Sequence, residues 1–114
     1  MLVKTFASAV IGIDAVPITI EVSSSRGADF TLVGLPDSSV KESRERISSA
    51  LMYSGCPFPR SALVINMAPA DIRKEGAAYD LPLAIGILAS NEKVRTAHLS
   101  DYMIMGELSL DGSL

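Results

Sequence analysis

Apolar and polar residues alternate along the first part of the chain with the two-residue period of β-strands. The runs Val3–Ile11 and Val16–Ser23 are rich in β-branched residues and flank Gly12–Ala15, which predicts a hairpin. Between Ile18 and Val22 every second residue is apolar, so one face of this strand should meet a core and the other face solvent. A short third strand is expected at Phe30–Val33.

The period changes to that of a helix between Ser38 and Ser54. Four apolar residues recur on one side of this segment: Val40, Ile47, Ala50 and Leu51. Asp37 or Ser39 is expected to cap its first turn, and Gly55 to end the helix in a left-handed conformation.

A buried strand and a buried helix follow. Ala62–Met67 is mostly apolar without alternation, which predicts a central strand covered on both faces, or on one face by a helix. The loop Ala70–Asp80 is the most charged stretch of the chain. The segment from Leu81 to Leu88 is almost wholly apolar, so we expect a buried helix, capped by Asp80 and with Pro82 in its first turn.

The last residues carry the signals of a second hairpin. Tyr102–Met105 predicts a strand that continues through Gly106–Leu110 to the turn signal Asp111–Gly112. Only Ser113 and Leu114 remain for the return strand, which would leave backbone groups unpaired. We therefore expect that the 114 residues are one domain of a longer natural protein.

Composition narrows the class of protein. With 48% hydrophobic and 20% charged residues the chain is typical of one globular domain, and its net charge of -3 lacks the basic excess of a dedicated nucleic-acid binder. No apolar run reaches the length of a membrane span. The single cysteine, Cys56, excludes an internal disulfide and fits the reducing cytoplasm; we expect its thiol to be buried.

Familiar catalytic motifs are absent from the sequence. It contains neither GxxxxGK[ST] nor GxGxxG, so no segment has the pattern of a nucleotide-phosphate loop. His98 is the only histidine and has no serine or cysteine at a recognisable spacing, which indicates a surface residue. The residues themselves therefore predict an α+β domain of unspecified function.

Two long, gapless segments carry a resemblance to a known family. Gly34–Arg46 (GLPDSSVKESRER) and Asn66–Pro82 (NMAPADIRKEGAAYDLP) resemble the amino-terminal domain of the magnesium-chelatase-like bacterial ATPases typified by YifB and ComM. The likeness spans essentially the whole chain. It implies that an AAA+ ATPase module follows this domain, that ATP and magnesium are bound there, and that the complete protein forms a hexameric ring. ComM-type members promote DNA branch migration in natural transformation.

The same domain is similar to the proteolytic domain of Lon. That resemblance implies a two-layer α+β sandwich of the ribosomal-protein type, with a mixed sheet of about four to six strands, two helices and a rare left-handed βαβ crossover. Lon uses a serine with a lysine as base. Here Ala78 stands at the serine position and cannot act as a nucleophile, and the lysine would lie beyond Leu114.

The charged residues of the two segments are the candidate site. Five cations could contact DNA phosphates or a neighbouring subunit: Lys41, Arg44, Arg46, Arg73 and Lys74. The alternative is a solvated helix face and a loop held by local salt bridges. Asp71 and Asp80 are expected to brace the loop rather than bind a metal, because their spacing matches no known coordination pattern.

The function that these features predict is that of a noncatalytic accessory domain. It would assist ring assembly or DNA engagement in a cytoplasmic AAA+ ATPase, without a cofactor or metal of its own. Two alternatives stay open: an active Lon-like serine protease domain, disfavoured by Ala78, and a structural module that binds only protein.

Overall fold

The computed structural model describes residues 1–114 and has two layers, a four-stranded sheet and a layer of helices. The strands are β1 (Leu2–Ile11), β2 (Asp14–Ser25), β3 (Phe30–Val33) and β4 (Ala62–Ala68); the helices are α1 (Ser38–Lys41), α2 (Ser43–Tyr53) and α3 (Asp80–Ser90), followed by a 3-10 turn at Leu99–Asp101. The strand order is β1-β2-β4-β3, antiparallel except for the parallel pair β3 and β4. The predicted α+β sandwich with a mixed sheet is confirmed.

The amino-terminal hairpin is longer and tighter than its sequence pattern suggested. β1 and β2 pair from Leu2↔Ser23 to Ile11↔Asp14, so only Gly12 and Ile13 form the turn. Gly12 has φ +63°, which a two-residue hairpin turn requires. β4 pairs with β2 only from Thr19 onward, so residues 8–17 extend past the sheet as a two-stranded hairpin arm.

The core lies between the inner face of the sheet and the helices. Its strand residues are fully buried or nearly so: Ile18, Ile20, Val22, Leu63, Ile65 and Met67. The apolar side of α2 and nearly all of α3 pack against them, which confirms the predicted burial of the apolar helix. Gly86 lets α3 approach β2 closely, because a Cβ there would lie 2.8 Å from Val22 Cγ2.

β4 is covered on one face only. Its burial alternates, and Val64 on the outer face is 49% exposed. Of the two arrangements that its sequence allowed, burial on one face by the helices is therefore confirmed and burial on both faces is wrong. An unbroken apolar run does not reveal this, because side-chain polarity does not report whether a second layer exists.

The predicted helix over residues 38–54 is interrupted at Glu42, which separates α1 from α2. Asp37, rather than Ser39, caps α1, since its Oδ1 accepts the Val40 amide at 2.8 Å. Gly55, with φ +78°, follows the end of α2 as expected. Cys56 comes next and is exposed, so the predicted buried thiol is wrong: the residue lies past the end of the helix, outside the core.

The predicted carboxyl-terminal strands do not form. Residues 102–109 form no regular secondary structure, and only one backbone hydrogen bond, from the Ile104 amide to the Phe6 carbonyl at 2.7 Å, joins them to the sheet. Gly106 instead exchanges hydrogen bonds with Ala78 and Leu81 at the start of α3, which draws the chain away from β1. The Asp111–Gly112 turn does form, closed by a bond from the Gly112 amide to the Ser109 carbonyl.

His98 is at the surface, as predicted, with Nδ1 3.1 Å from Asp101 Oδ2. None of the helices has the length and apolar character needed to cross a membrane. Nowhere do three or more His, Cys, Asp or Glu side chains come together in a group that could hold a metal ion.

Candidate functional site

The two family-like segments, Gly34–Arg46 and Asn66–Pro82, leave the sheet at the same end. β3 and β4 are parallel neighbours, so their carboxyl ends, Val33 and Ala68, lie side by side. Gly34–Arg46 leaves from the first strand and Pro69–Pro82 from the second. The turn of the hairpin arm lies at this end as well, because β2 runs antiparallel to β4. We call this region the motif end.

A buried lysine joins the two segments. The Lys74 side chain is fully buried, and its ammonium donates to the Gly34 carbonyl at 2.7 Å and to the Pro69 carbonyl. The Lys74 amide also donates to the Leu35 carbonyl at 3.0 Å. Burial lowers the pKa of this ammonium, and nearby Asp71 opposes that effect. Lys74 therefore points inward, and the sequence-based suggestion that it contacts DNA or another subunit is wrong.

Asp37 and Gly34 complete this junction. The second carboxylate oxygen of Asp37 accepts the Gly76 amide at 3.1 Å, so one side chain caps α1 and holds the charged loop. Gly34 has φ +109°, and a Cβ there would lie 2.1 Å from the Met67 carbonyl oxygen. The sequence identified Asp37 only as a helix cap, since nothing local reveals its contact with a loop 39 residues away.

Arg46 and Asp80 form a second internal connection. The guanidinium donates to both carboxylate oxygens of Asp80, at 2.7 and 3.0 Å, and to the Ser39 carbonyl. Asp80 is fully buried and also accepts the Leu108 amide at 3.1 Å. The hydrogen bond to Asp80 is the main cause that raises the pKa of Arg46.

Two of the sequence-based roles change as a result. Arg46 is held inside by Asp80 and is not a free cation for a phosphate. Asp80 is the first residue of α3 rather than its cap, and Tyr79 occupies the cap position without a side-chain hydrogen bond. Asp80 thus braces α2, α3 and the carboxyl-terminal segment, whereas Asp71 is exposed and forms no ion pair.

Two candidate cations remain exposed and close together. Lys41 and Arg73 line one recess of about 330 Å³ at the motif end. Arg73 Nε lies 3.3 Å from Glu75 Oε1, and both side chains are about two-thirds exposed. Arg44 lies elsewhere, with its guanidinium 5.3 Å from the centre of the Phe30 ring. The structure therefore brings together Lys41 and Arg73 from the five cations that the sequence suggested.

The position of the Lon-type nucleophile carries no reactive group. Ala78 is half-buried, and its carbonyl accepts the Gly106 amide at 2.7 Å. The neighbouring Tyr79 phenol donates to the Ser8 carbonyl at 3.2 Å. Burial and the nearby carboxylates of Asp37 and Glu75 raise the pKa of that phenol, which keeps it neutral. Ala78 and Tyr79 therefore hold neighbouring segments of the chain together by hydrogen bonds and offer no nucleophile for acyl transfer.

Relatives of the chain are much longer proteins. It is 49% identical over 107 residues to the protein YifB of Salmonella typhimurium, covering 93% of this chain and 21% of that protein. It is 48% identical to YifB of Escherichia coli over 107 residues, again covering 93% of this chain and 21% of that protein. The competence protein ComM of Haemophilus influenzae is 44% identical over 110 residues, which is 96% of this chain and 22% of ComM. The chain thus spans about a fifth of the length of these curated relatives.

A family model agrees with these likenesses. The model described as subunit ChlI of Mg-chelatase matches residues 20–114, which include both family-like segments and every residue of the junction around Lys74. The chain therefore belongs to the magnesium-chelatase-like ChlI family.

Proposed function

We propose that the chain is a noncatalytic accessory domain of a cytoplasmic, magnesium-chelatase-like AAA+ ATPase and helps it to engage DNA. The observation that carries this proposal is the pair Lys41 and Arg73, exposed on one recess at the motif end. Cations on a backbone that is already held in place suit phosphate contacts, because little loop freedom is lost on binding. Lys74 supplies that support by holding the loop from within.

The catalytic part of the proposed protein lies outside these residues. ATP and magnesium would be bound by the ATPase module, since the chain has no phosphate-loop sequence. The membership in the ChlI family and the likeness to a competence protein support this division of roles. In a hexameric ring the weak contacts of single domains would add up, because several copies raise the effective concentration of each.

The test is a double charge reversal, Lys41→Glu with Arg73→Glu, in the full-length protein. DNA binding is measured over a series of salt concentrations, and ring assembly by sedimentation. If both residues contact phosphates, affinity should fall by about tenfold or more and the dependence on salt should become less steep. Arg26→Glu with Lys93→Glu is the matched control, with the same charge change on exposed residues at the opposite end of the sheet.

The outcomes separate the alternatives. A Lys41/Arg73 variant that keeps the affinity and the salt dependence of the parent, in an assembled ring, would contradict DNA contact at this recess. A variant that no longer assembles, while the control does, would instead favour a module that binds only protein. Stoichiometric labelling of a serine by a fluorophosphonate would favour the protease alternative, which Ala78 argues against.

A further inference from the structure

A second recess lies at the motif end, between the hairpin arm and the charged loop. It has a volume of about 550 Å³, within the usual range of ligand clefts. The end of β1, from Ser8 to Ile11, forms one side, and residues 71–75 form the other. Tyr79 and Met105 also line it, whereas Ala78 does not.

The side formed by β1 is an incompletely paired strand edge. In the two-residue hairpin, Ile11 and Asp14 form the hydrogen-bonded pair next to the turn, so the backbone groups of Phe6, Ser8 and Val10 point away from β2. The Phe6 carbonyl accepts the Ile104 amide, the Ser8 carbonyl accepts the Tyr79 phenol at 3.2 Å, and the Ser8 amide has only the Met105 sulfur, at 3.5 Å. The amide and carbonyl of Val10 have no partner.

This edge already accepts an extended segment of polypeptide. Ile104 and Met105 run beside Phe6 and Ser8 in the same direction as β1, and then Gly106 turns away to bond with Ala78. Beyond Ser8 the edge continues into the recess without a neighbour. Asp71, Ile72, Arg73 and Glu75 line the other side of the recess.

The side chains that line the recess indicate which polarity and charge an occupant should have. Val10, 77% exposed, and Met105, 39% exposed, offer apolar contact together with Ile72. The loop contributes two carboxylates and one guanidinium. Arg73 is paired with Glu75, whereas the exposed Asp71 forms no ion pair and has only the buried Lys74 ammonium nearby. The side chains of an added strand alternate between the two faces of the sheet, so an occupant with apolar side chains beside Val10 and basic side chains on the face toward Asp71 would satisfy both.

We propose that this recess binds an extended segment of a partner protein, with alternating apolar and basic residues, by strand addition to the edge of β1. The inference goes beyond the proposed function and does not depend on DNA contact, because it rests on unpaired backbone groups and on Asp71. The backbone bonds would supply affinity and the alternate side chains specificity.

The probe is a capped hexapeptide in which lysine and valine alternate, added to the isotope-labelled chain and followed by amide NMR spectra. The amides of Val10 and Gly12 should shift saturably at micromolar to millimolar peptide. The same peptide with methylated backbone nitrogens cannot donate to the Val10 carbonyl, and an alternating glutamate and valine peptide lacks the cation. Both should bind at least about tenfold more weakly.

A pair of variants tests the charge. Asp71→Lys should weaken binding of the lysine peptide by about tenfold or more, whereas Asp29→Lys, an exposed acid outside the recess, should leave it unchanged. The NMR spectra also show whether each variant is folded. Equal binding of all three peptides, no binding at millimolar concentration, shifts confined to another surface, or self-association of the chain through Val10 would each overturn the proposal.

Discussion

Lys74 is the residue on which the two family-like segments depend. A buried ammonium is costly unless it is hydrogen-bonded, and this one donates to two carbonyls from different segments. Neither carbonyl is part of a helix or strand, and only that of Pro69 has a second partner, the Ile72 amide at 3.3 Å, so the Gly34 carbonyl depends on the lysine. The ammonium is therefore bound to carbonyls of the chain itself and is not available to a ligand.

We predict that Lys74→Ala lowers the free energy of unfolding by about 3 kcal/mol. The substitution removes the ammonium that donates to two carbonyls and leaves a cavity. Denaturation by urea measures the change. Arg73→Ala, at the next position but exposed, should change stability by less than about 0.5 kcal/mol. Equal losses for the two variants would show that the Lys74 contacts contribute nothing specific.

The stabilising effect of Lys74 should also depend on pH. Its pKa is lowered in the folded chain from the ordinary value of 10.5, so between the two values the unfolded chain binds more protons. Stability should therefore rise with pH across that interval. The difference in unfolding free energy between the parent and Lys74→Ala isolates this effect, because Tyr79, whose raised pKa acts in the opposite direction above pH 10, is present in both. A difference that stays constant or shrinks up to pH 10 would contradict the burial of the ammonium.

At the scale of elements, the bond between Arg46 and Asp80 connects α2 to α3 and, through the Leu108 amide, to the carboxyl-terminal segment. These elements share few other polar contacts. The pair therefore sets how the helices and the last residues lie relative to each other, and the loss of one partner would leave a largely buried charge unpaired.

We predict that Asp80→Asn lowers the free energy of unfolding by about 3 kcal/mol, because Arg46 loses its counter-charge. Asp71→Asn, the same chemical change on an exposed loop residue, should cost less than about 0.5 kcal/mol. Thermal unfolding of both variants gives the comparison. If Asp80→Asn were as stable as the parent, the helices would be held by apolar packing alone.

The connection from β3 to α1 depends on a close approach at Gly34. We predict that Gly34→Ala costs at least about 3 kcal/mol, because a methyl group would overlap the Met67 carbonyl as well as strain the backbone. Gly12→Ala separates the two causes, since Gly12 has positive φ but nothing within 4 Å. It should cost only about 1 kcal/mol. Similar losses for both, measured in urea, would show that strain alone accounts for Gly34.

At the scale of the whole molecule, the proposed division between an accessory domain and an ATPase module leads to a direct prediction. The 114-residue chain should bind no ATP, with or without magnesium, because it lacks a phosphate loop. Titration calorimetry of the chain beside the full-length protein measures this. A micromolar affinity in the chain alone would place nucleotide binding in this domain and contradict the proposed division.

Much of the fold could be predicted from local patterns. Alternation in β2 and the apolar side of α2 gave the right elements, because side-chain polarity reports which face is buried. The prediction of a carboxyl-terminal strand was wrong, because local polarity does not show which partner the backbone will bond to. Its sequence suits a strand, but strand formation needs a neighbour, and Gly106 bonds to Ala78 and Leu81 instead.

The candidate site was only partly predictable. The sequence determined which residues are charged, where the turns lie and to which family the two segments belong. Only the tertiary structure decided that Lys74 and Arg46 turn inward while Lys41 and Arg73 share a recess, and that the edge of β1 is left open beyond Ser8. Charge is a property of a residue, whereas exposure and pairing depend on residues brought together from distant parts of the chain.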